Sequence, residues 1–256
     1  MSFFKKLYKQ IKKKNTRLCI GIDPDSEKLS KYFKPTIKNI EDFLKNFITV
    51  TSPYVVCYKA NIAFFEVLGY KGWELLEKLR EFIPVNIPFI LDAKRGDIKN
   101  TSKIYSKVVF EVVKADAVTV NPYMGMESLE PFLDYKDKGI YILCLTSNPG
   151  SDDFQKPNLF KKVAIYAERA NKNKNIGLVV GATQNELEEI RNMVKLPFLI
   201  PGIGSQGGNV NKVKSIFSKD VPDIVNVSRK IMYVKDEDYL KGIEKAAKEY
   251  SYLLKG

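Results

Sequence analysis

The 256-residue sequence contains no histidine, which removes several kinds of catalysis from consideration. Ser-His-Asp and Cys-His mechanisms need an imidazole, and most zinc sites use one as a ligand. Any chemistry that the protein carries out must therefore use lysine, aspartate, glutamate, arginine or backbone groups.

Cysteines and long apolar runs are also scarce. Cys19, Cys57 and Cys144 are far apart, and each lies inside a short apolar run. This predicts reduced, buried thiols of a cytoplasmic protein rather than a disulfide framework or a metal cluster. No run approaches the length of a membrane span, and the chain does not open on the apolar segment of a signal peptide. We therefore expect no membrane association.

Acidic residues are missing from positions 1–17, which hold six lysines and Arg17. This segment contributes +7 to a formal net charge of +12. Phe4, Leu7, Tyr8 and Ile11 recur at helical spacing, which predicts an amphipathic helix packed on the rest of the domain. A basic RNA-binding protein that uses this helix is the alternative, but the aromatic and glycine-rich interleaving of such proteins is absent. We expect no nucleic-acid partner.

Eight short apolar runs alternate with helical patterns along the chain. The runs are apolar on both faces, which is typical of strands buried in a parallel sheet. The predicted strands are 18–23, 54–59, 89–94, 117–120, 140–145, 177–180, 198–200 and 224–227, and the later helices are 37–47, 62–82, 99–114, 126–133, 159–170, 184–193, 209–217 and 236–253. Eight such units predict an α/β fold, a (β/α)8 TIM barrel, as a single domain over residues 1–256. A doubly wound open sheet is the alternative.

Charged residues gather at the predicted C-terminal ends of the strands, where barrel enzymes have their active sites. The two-residue period places Asp92 and Lys94 on one face of the third strand and Lys59 and Asn61 on one face of the second, while Asp23 ends the first. If these faces point inward, two lysines and two aspartates meet. Alternating charges would keep the lysines protonated and the carboxylates ionised, which indicates a functional site rather than a solvated ion pair.

A glycine-rich loop follows the seventh predicted strand. Residues 201–208 read Pro-Gly-Ile-Gly-Ser-Gln-Gly-Gly, and the eighth strand ends in Ser228-Arg229-Lys230. Glycines let backbone amides approach an anion, a following helix N-terminus favours it, and Arg229 can bind it bidentately, which predicts a phosphate site. The loop also matches a dinucleotide-binding pattern. The acid that should contact the ribose, Asp223, would however begin a strand instead of ending one.

Taken together, these motifs resemble the orotidine 5'-phosphate decarboxylase family, in its longer-loop branch. They are Asp92-Ala93-Lys94-x-x-Asp97-Ile98-x-Asn100-Thr101, Lys59-Ala60-Asn61, Asp23 and the glycine-rich loop. The resemblance implies decarboxylation of orotidine 5'-monophosphate to uridine 5'-monophosphate, the last step of de novo UMP synthesis, with no metal and no organic cofactor. It also raises association with orotate phosphoribosyltransferase as a question.

The resemblance also implies roles for individual residues. Lys94 would donate the proton, and Asp92, Lys59 and Asp97 would complete the charge array. The partner subunit of a homodimer would supply Asp97, Ile98 and Thr101. The remaining substrate contacts would be Asp23 and Asn61 at the ribose, Ser147 at the pyrimidine, Gln206 and Arg229 at the phosphate, and Pro201 and Ser228. The loops after strands five and seven would close as lids.

Two other enzyme classes would use the same barrel. The Asp-x-Lys-x-x-Asp pattern also occurs in metal-dependent sugar-phosphate decarboxylases and in hexulose-phosphate synthases. An aldolase would use Lys94 or Lys59 to form a Schiff base, but flanking carboxylates keep an amine protonated and therefore non-nucleophilic.

Overall fold

Eight parallel strands close into a barrel in which each strand pairs with the next along the chain and β8 pairs with β1. A computed structural model describes residues 1–204 and 207–256. The strands are β1 (Leu18–Ile22), β2 (Cys57–Asn61), β3 (Phe89–Arg95), β4 (Ala117–Val120), β5 (Gly139–Leu145), β6 (Ile176–Val180), β7 (Phe198–Pro201) and β8 (Ile224–Val227). The predicted (β/α)8 barrel is confirmed, and the doubly wound sheet is wrong because β8 closes on β1.

Helices precede β1 and follow every strand. The longer ones are α1 (Phe3–Lys14), α3 (Ile37–Thr51), α5 (Tyr70–Phe82), α6 (Lys99–Lys107), α9 (Leu159–Ala170), α10 (Leu187–Met193), α11 (Val210–Ser215) and α13 (Tyr239–Leu253). The one-turn helices are α2 (Ser26–Leu29), α4 (Ala63–Glu66), α7 (Glu130–Leu133), α8 (Ser151–Phe154) and α12 (Arg229–Met232). A π-helical turn at Val108–Val112 continues α6, and a 3-10 turn at Met126–Leu129 precedes α7. Most one-turn helices were not predicted because four residues are too few to show a helical period.

The second strand begins and ends later than predicted. Tyr54 lies in a turn, where its N–H donates to the Thr51 carbonyl over 3.0 Å. At the other end β2 continues to Asn61, which pairs with Asp92 of β3. Lys59 is therefore the third residue of β2 rather than its last, and the walls of the barrel enclose it.

The N-terminal helix closes one end of the barrel. Its buried apolar residues are Phe3, Phe4, Leu7 and Ile11. The rings of Phe3 and Phe4 contact the Tyr141 ring edge-on inside the barrel, with centroid distances of 5.9 and 5.6 Å. The helix thus packs as its pattern predicted, with one difference: Tyr8 is only half-buried, and the Lys12 ammonium lies 5.3 Å from its ring centroid.

Two similar clusters join neighbouring strands at the N-terminal rim of the barrel. In each cluster, an aspartate just before one strand accepts from the first N–H of the preceding strand. It also accepts from an arginine of the helix that leads into that preceding strand. The first rim clamp is Arg80, Phe89 and Asp116, and the second rim clamp is Arg191, Phe198 and Asp223.

The second rim clamp is the more enclosed of the two. Asp223 accepts from Arg191 over 2.5 Å and from the Phe198 N–H over 2.8 Å, and Arg17 lies 4.0 Å away. The Asp223 side chain has no exposed surface, whereas that of Asp116 is 16% exposed. Asp223 thus lies at the opposite end of the barrel from the loop that resembles a dinucleotide site, as the sequence indicated.

Two expectations from composition can be compared with the fold. Cys19, Cys57 and Cys144 are buried and free, as predicted. Within residues 1–204 and 207–256, no helix is both long and apolar enough to cross a lipid bilayer.

Candidate active site

Three charged side chains meet where β2 and β3 approach their C-terminal ends. One oxygen of Asp92 accepts a hydrogen bond from the Lys59 ammonium over 2.8 Å, and the other accepts from the Lys94 ammonium over 2.7 Å. Lys59 and Asp92 are buried, whereas the Lys94 side chain is 46% exposed. We call Lys59, Asp92 and Lys94 the charge triad. The two-residue strand period predicted this meeting.

The charges of the triad and of Asp23 reverse the shifts that burial alone would give to the pKa values of Lys59 and Asp92. Burial lowers the pKa of Lys59, but the Asp92 and Asp23 carboxylates raise that pKa above its usual range. Burial raises the pKa of Asp92, but the Lys59 and Lys94 ammonium groups hold that pKa well below its usual range. Lys59 therefore stays protonated and Asp92 ionised at neutral pH, and a protonated Lys59 cannot form a Schiff base.

The ends of β1 and β8 lie beside the charge triad. The Asp23 carboxylate accepts from the Asn61 N–H over 3.2 Å. A Cβ atom at Gly21 would lie only 2.6 Å from Ser228 Cβ, so glycine is what lets the two strand ends approach. The Ser228 hydroxyl is buried and has no hydrogen-bond partner within the described residues. Asp23, Asn61 and Ser228 are thus gathered at one end of the barrel.

One polar contact of the charge triad was not predicted. The Thr119 hydroxyl donates to Asp92 Oδ1 over 2.8 Å and accepts from the Lys94 N–H over 3.0 Å. A single threonine in Ala-Val-Thr-Val reads as an ordinary strand residue, because threonine favours strands. The strand period gives one signal for this contact. Ala117 faces the barrel interior, and Thr119, two residues further along β4, lies on the same face.

Within the described residues, the segment after β3 forms no hydrogen bond or ion pair with the charge triad of its own chain. Asp97 accepts from the Ile98 N–H over 2.8 Å, and within the described residues it forms no salt bridge with a lysine. Ile98 is 56% exposed, and Thr101 is exposed on the first turn of α6. That Asp97, Ile98 and Thr101 serve a partner subunit stays a prediction.

Two glutamines hold the loop that follows β5. Gln155 accepts from the Thr146 N–H over 2.7 Å, and the Gln184 carboxamide donates to the Thr146 carbonyl. Ser147 comes next, and its backbone packs so closely on Gly181 that a Cβ there would lie 2.7 Å from Ser147 Cα. Neither glutamine was predicted. The helix expected from residue 184 begins only at Leu187, so Gln184 belongs to a loop.

The glycine-rich loop turns sharply after β7 ends at Pro201. Gly202, Gly204 and Gly207 have φ angles of 108°, 87° and 80°, a left-handed region that favours glycine. The Gly208 N–H donates to the Gly202 carbonyl over 3.1 Å and closes the turn. Gln206 lies outside the described residues, so its predicted phosphate contact stays a prediction.

The helix after this loop is shorter than predicted, with only the six residues Val210–Ser215. The Asn209 side chain accepts from the N–H groups of Asn211 and Lys212. Asn209 thus caps two N–H groups of this helix, and the predicted anion site at its N-terminus stays a prediction. Arg229 begins α12, directly after β8, and is exposed. Within the described residues, no group of three or more histidine, cysteine, aspartate or glutamate side chains could hold a metal ion.

The chain is similar to known proteins over most of its length. The model of the "Orotidine 5'-phosphate decarboxylase / HUMPS family" matches residues 16–241. The chain belongs to the orotidine 5'-phosphate decarboxylase family. The orotidine 5'-phosphate decarboxylase of Dehalococcoides mccartyi strain CBDB1 is 44% identical in an alignment 265 residues long, and the alignment covers 97% of this chain and 96% of that protein.

Solved structures of the orotidine 5'-phosphate decarboxylase family agree with this assignment. The OMP decarboxylase of Leishmania donovani has a TM-score of 0.86, is 35% identical and is matched over 99% of both chains. The UMP synthase of the same organism has a TM-score of 0.87 and is 37% identical over 99% of this chain, which spans only 56% of that longer protein. The chain is a carboxy-lyase, the class to which this family's decarboxylases belong.

Proposed function

We propose that the chain decarboxylates orotidine 5'-monophosphate to uridine 5'-monophosphate, the last step of de novo UMP synthesis, without a metal or an organic cofactor. The observation that carries the proposal is the charge triad, a buried carboxylate held between two ammonium groups in a chain without histidine. In this proposal Lys94 donates the proton, and Asp92, Lys59 and Asp97 complete the charge array.

The chemistry of the reaction explains why such a site is needed. When carbon dioxide leaves, the electron pair of the broken bond stays on C6 of the pyrimidine, where little delocalisation is available. A fixed cation beside C6 stabilises this charge, and a proton supplied from it completes the product. Lys94 suits both tasks because it is the exposed member of the triad and is held 2.7 Å from Asp92. The neutral amine that remains regains its proton from water.

The rest of the site would bind parts of the substrate that do not react. We assign Asp23 and Asn61 to the ribose, Ser147 to the pyrimidine, Gln206 and Arg229 to the phosphate, and Pro201 and Ser228 to the surrounding wall. Phosphate binding far from the breaking bond would stabilise closure of the loops after β5 and β7 over the site and so exclude water.

We also propose that the enzyme is a homodimer with shared active sites. Large apolar side chains are exposed on the segments that follow β2, β3 and β4. They are Val67, Tyr70, Ile98, Ile104, Tyr123 and Met124. An exposed apolar surface of this kind marks an interaction site, and a two-fold interface would place Asp97, Ile98 and Thr101 against the neighbouring barrel.

Further parts of the proposal concern the setting of the enzyme. The buried free thiols support a reducing, cytoplasmic location. The packing of α1 into the barrel supports a single domain over residues 1–256 and gives this helix a role that needs neither nucleic acid nor membrane. The longer UMP synthase chain of Leishmania donovani supports an association with orotate phosphoribosyltransferase.

Purified protein mixed with orotidine 5'-monophosphate and a chelator tests the activity directly. We expect the ultraviolet absorbance to fall to that of uridine 5'-monophosphate, and we expect a Lys94→Ala variant to lose this activity. No absorbance change with the unaltered protein would contradict the proposal. Activity that needs added metal would favour a sugar-phosphate decarboxylase, and borohydride trapping of a carbonyl substrate would favour an aldolase.

A further inference from the structure

The pairing between β3 and β4 is interrupted beside the charge triad. Leu91 pairs with Val118, but the next pair along these strands is Arg95 with Val120. Three residues of β3 thus face the single residue Thr119 of β4. At such a bulge the backbone loses its regular ladder of hydrogen bonds, so the freed groups need other partners.

Lys94 is the residue most affected by this bulge. Its φ angle is 47°, in the left-handed region that residues other than glycine rarely adopt. Its N–H cannot join the regular ladder, and it donates instead to the Thr119 hydroxyl over 3.0 Å. The hydroxyl of a neighbouring strand therefore takes the place of a backbone carbonyl.

The direction of both hydrogen bonds at Thr119 is fixed by chemistry. A backbone N–H only donates, so the hydroxyl oxygen must accept from Lys94. An ionised carboxylate only accepts, so the hydroxyl proton must go to Asp92 Oδ1, 2.8 Å away. Thr119 is 1% exposed, so no water competes for these bonds. One side chain thus connects the backbone of Lys94 with the carboxylate that holds the Lys94 ammonium.

We propose that Thr119 is a positioning residue for Lys94. It holds the Lys94 backbone in the left-handed conformation, and it fixes the Asp92 oxygen to which the Lys94 ammonium returns over 2.7 Å. The position of the Lys94 ammonium is thereby fixed at two points, the Lys94 backbone and the Asp92 carboxylate. The inference rests on the proposed role of Lys94 as proton donor, and it adds a residue of β4 to the charge triad, which comes from β2 and β3.

The test compares Thr119→Val, which keeps the shape of the side chain and removes the hydroxyl, with Thr119→Ser, which keeps the hydroxyl. Because a small misplacement of a reacting group can lower a rate by roughly 100-fold, we expect Thr119→Val to reduce kcat by about 10- to 100-fold. KM should stay within about two-fold, since Thr119 holds the proton donor rather than the ribose or phosphate. Thr119→Ser should keep most of kcat.

A matched control is Thr51→Val, which removes another fully buried hydroxyl, one that bonds Tyr58 and the Phe47 carbonyl. This variant should lose stability but not kcat. Thr119→Ala replaces Thr119→Val if the latter does not fold.

Three results would overturn the inference: an unchanged kcat in folded Thr119→Val, an equal loss in Thr119→Ser, or a similar loss in Thr51→Val. Unaltered protein without activity on orotidine 5'-monophosphate would instead overturn the proposed function. The two failures are therefore distinguishable.

Discussion

Asp92 is the residue on which the polar contacts of the site converge. Its two oxygens accept from Lys59, Lys94 and Thr119 over 2.7 to 2.8 Å. An exposed ion pair of this kind would contribute less than about 1 kcal/mol. Here the carboxylate is buried, so removing any one donor leaves part of its charge unbalanced inside the protein.

The ionisation of Asp92 can be measured directly. Its pKa lies well below the usual range because the Lys59 and Lys94 ammonium groups outweigh the effect of burial. A lowered pKa stabilises the fold above the unfolded value of about 4, and this contribution is lost as the pH falls towards the folded pKa. In a ¹³C NMR titration, the chemical shift of the Asp92 carboxyl carbon reports the ionisation of this group. We expect the group to remain ionised down to about pH 3, and to titrate at higher pH in Lys59→Met.

Lys14→Met is the control for this titration. The Lys14 ammonium donates to the carbonyls of Ser52 and Val55, and burial lowers its pKa to about 8. Removing it should leave the Asp92 titration unchanged. An Asp92 carboxyl that titrates near pH 4 in the unaltered protein would contradict the electrostatic picture of the triad.

Arg229 gives a second test at the level of a single residue. If it binds the phosphate, Arg229→Ala should raise KM by roughly 100-fold or more and also lower kcat/KM, because phosphate binding stabilises the closed site. Lys230→Ala, at the exposed neighbouring position, should have little effect. Steady-state kinetics with orotidine 5'-monophosphate check both variants, and unchanged kinetics in Arg229→Ala would remove the phosphate assignment.

Among the elements, β3 shows what the sequence could and could not predict. The two-residue period correctly placed Asp92 and Lys59 on the same face of the sheet, because β2 and β3 pair in regular register as far as Asn61 and Asp92. The bulge at Lys94 has no signature in the sequence, since it depends on how three residues of β3 fit against Thr119 of β4. The fold was easier to predict than this contact because alternating apolar runs and helical patterns extend over the whole chain.

Loops were predicted less well than strands for the same reason. Gln155 and Gln184 fix the loop after β5 through side-chain bonds to Thr146, and no periodic pattern announces such contacts. The Asn209 side chain likewise caps two N–H groups at the start of α11. Local side-chain bonds of this kind compete with regular structure and follow from three-dimensional packing.

The two rim clamps predict different losses of stability. Asp223→Asn leaves two buried guanidinium groups without a counter-ion, so we expect it to lower the free energy of unfolding by about 3–5 kcal/mol. Asp116→Asn should cost about 1.5–3 kcal/mol, because its carboxylate is partly exposed and water replaces some of the lost interaction. Urea unfolding followed by circular dichroism measures both. Equal losses, or the reverse order, would contradict this reading of the clamps.

On the scale of the whole molecule, the two ends of the barrel have different tasks. The N-terminal end carries the rim clamps and α1, which hold the strands together. The C-terminal end carries the charge triad and the exposed apolar side chains after β2, β3 and β4. Barrel enzymes commonly separate stability from chemistry in this way.

The proposed shared site can be tested by mixing subunits. Lys94→Ala and Asp97→Ala should each be inactive alone, but in a mixed dimer one of the two sites contains neither substitution. Random exchange through a two-fold interface should therefore restore up to about one quarter of the activity. Mixing Lys94→Ala with Lys59→Ala should restore nothing, because both residues belong to the same subunit's site. No recovery in the test mixture would place Asp97 in its own chain's site, and recovery in the control mixture would contradict the shared location of Lys59 and Lys94.

The role of α1 can be tested at the opposite end of the barrel. Phe3→Ala should lower the free energy of unfolding by about 3–5 kcal/mol, because Phe3 is buried against Tyr141. Lys5→Ala, on the exposed face of the same helix, should change it by less than about 0.5 kcal/mol. Folded Phe3→Ala should keep its kcat but react faster with thiol reagents at Cys19 and Cys57, which lie in the same apolar cluster. A stability unchanged by Phe3→Ala would contradict the closing role of α1.

The closure of the barrel by α1 also sets an order of events during synthesis. This helix leaves the ribosome before any strand, yet Phe3 packs on Tyr141, over half the length of the chain away. At a synthesis rate of ~5–20 residues per second, the apolar face of α1 stays uncovered for roughly 7 to 30 s, until Tyr141 has been made. The lysines on its other face repel one another and other copies of the nascent helix, which keeps this waiting segment from aggregating. The charge of α1 thus opposes its self-association until β5 has been made.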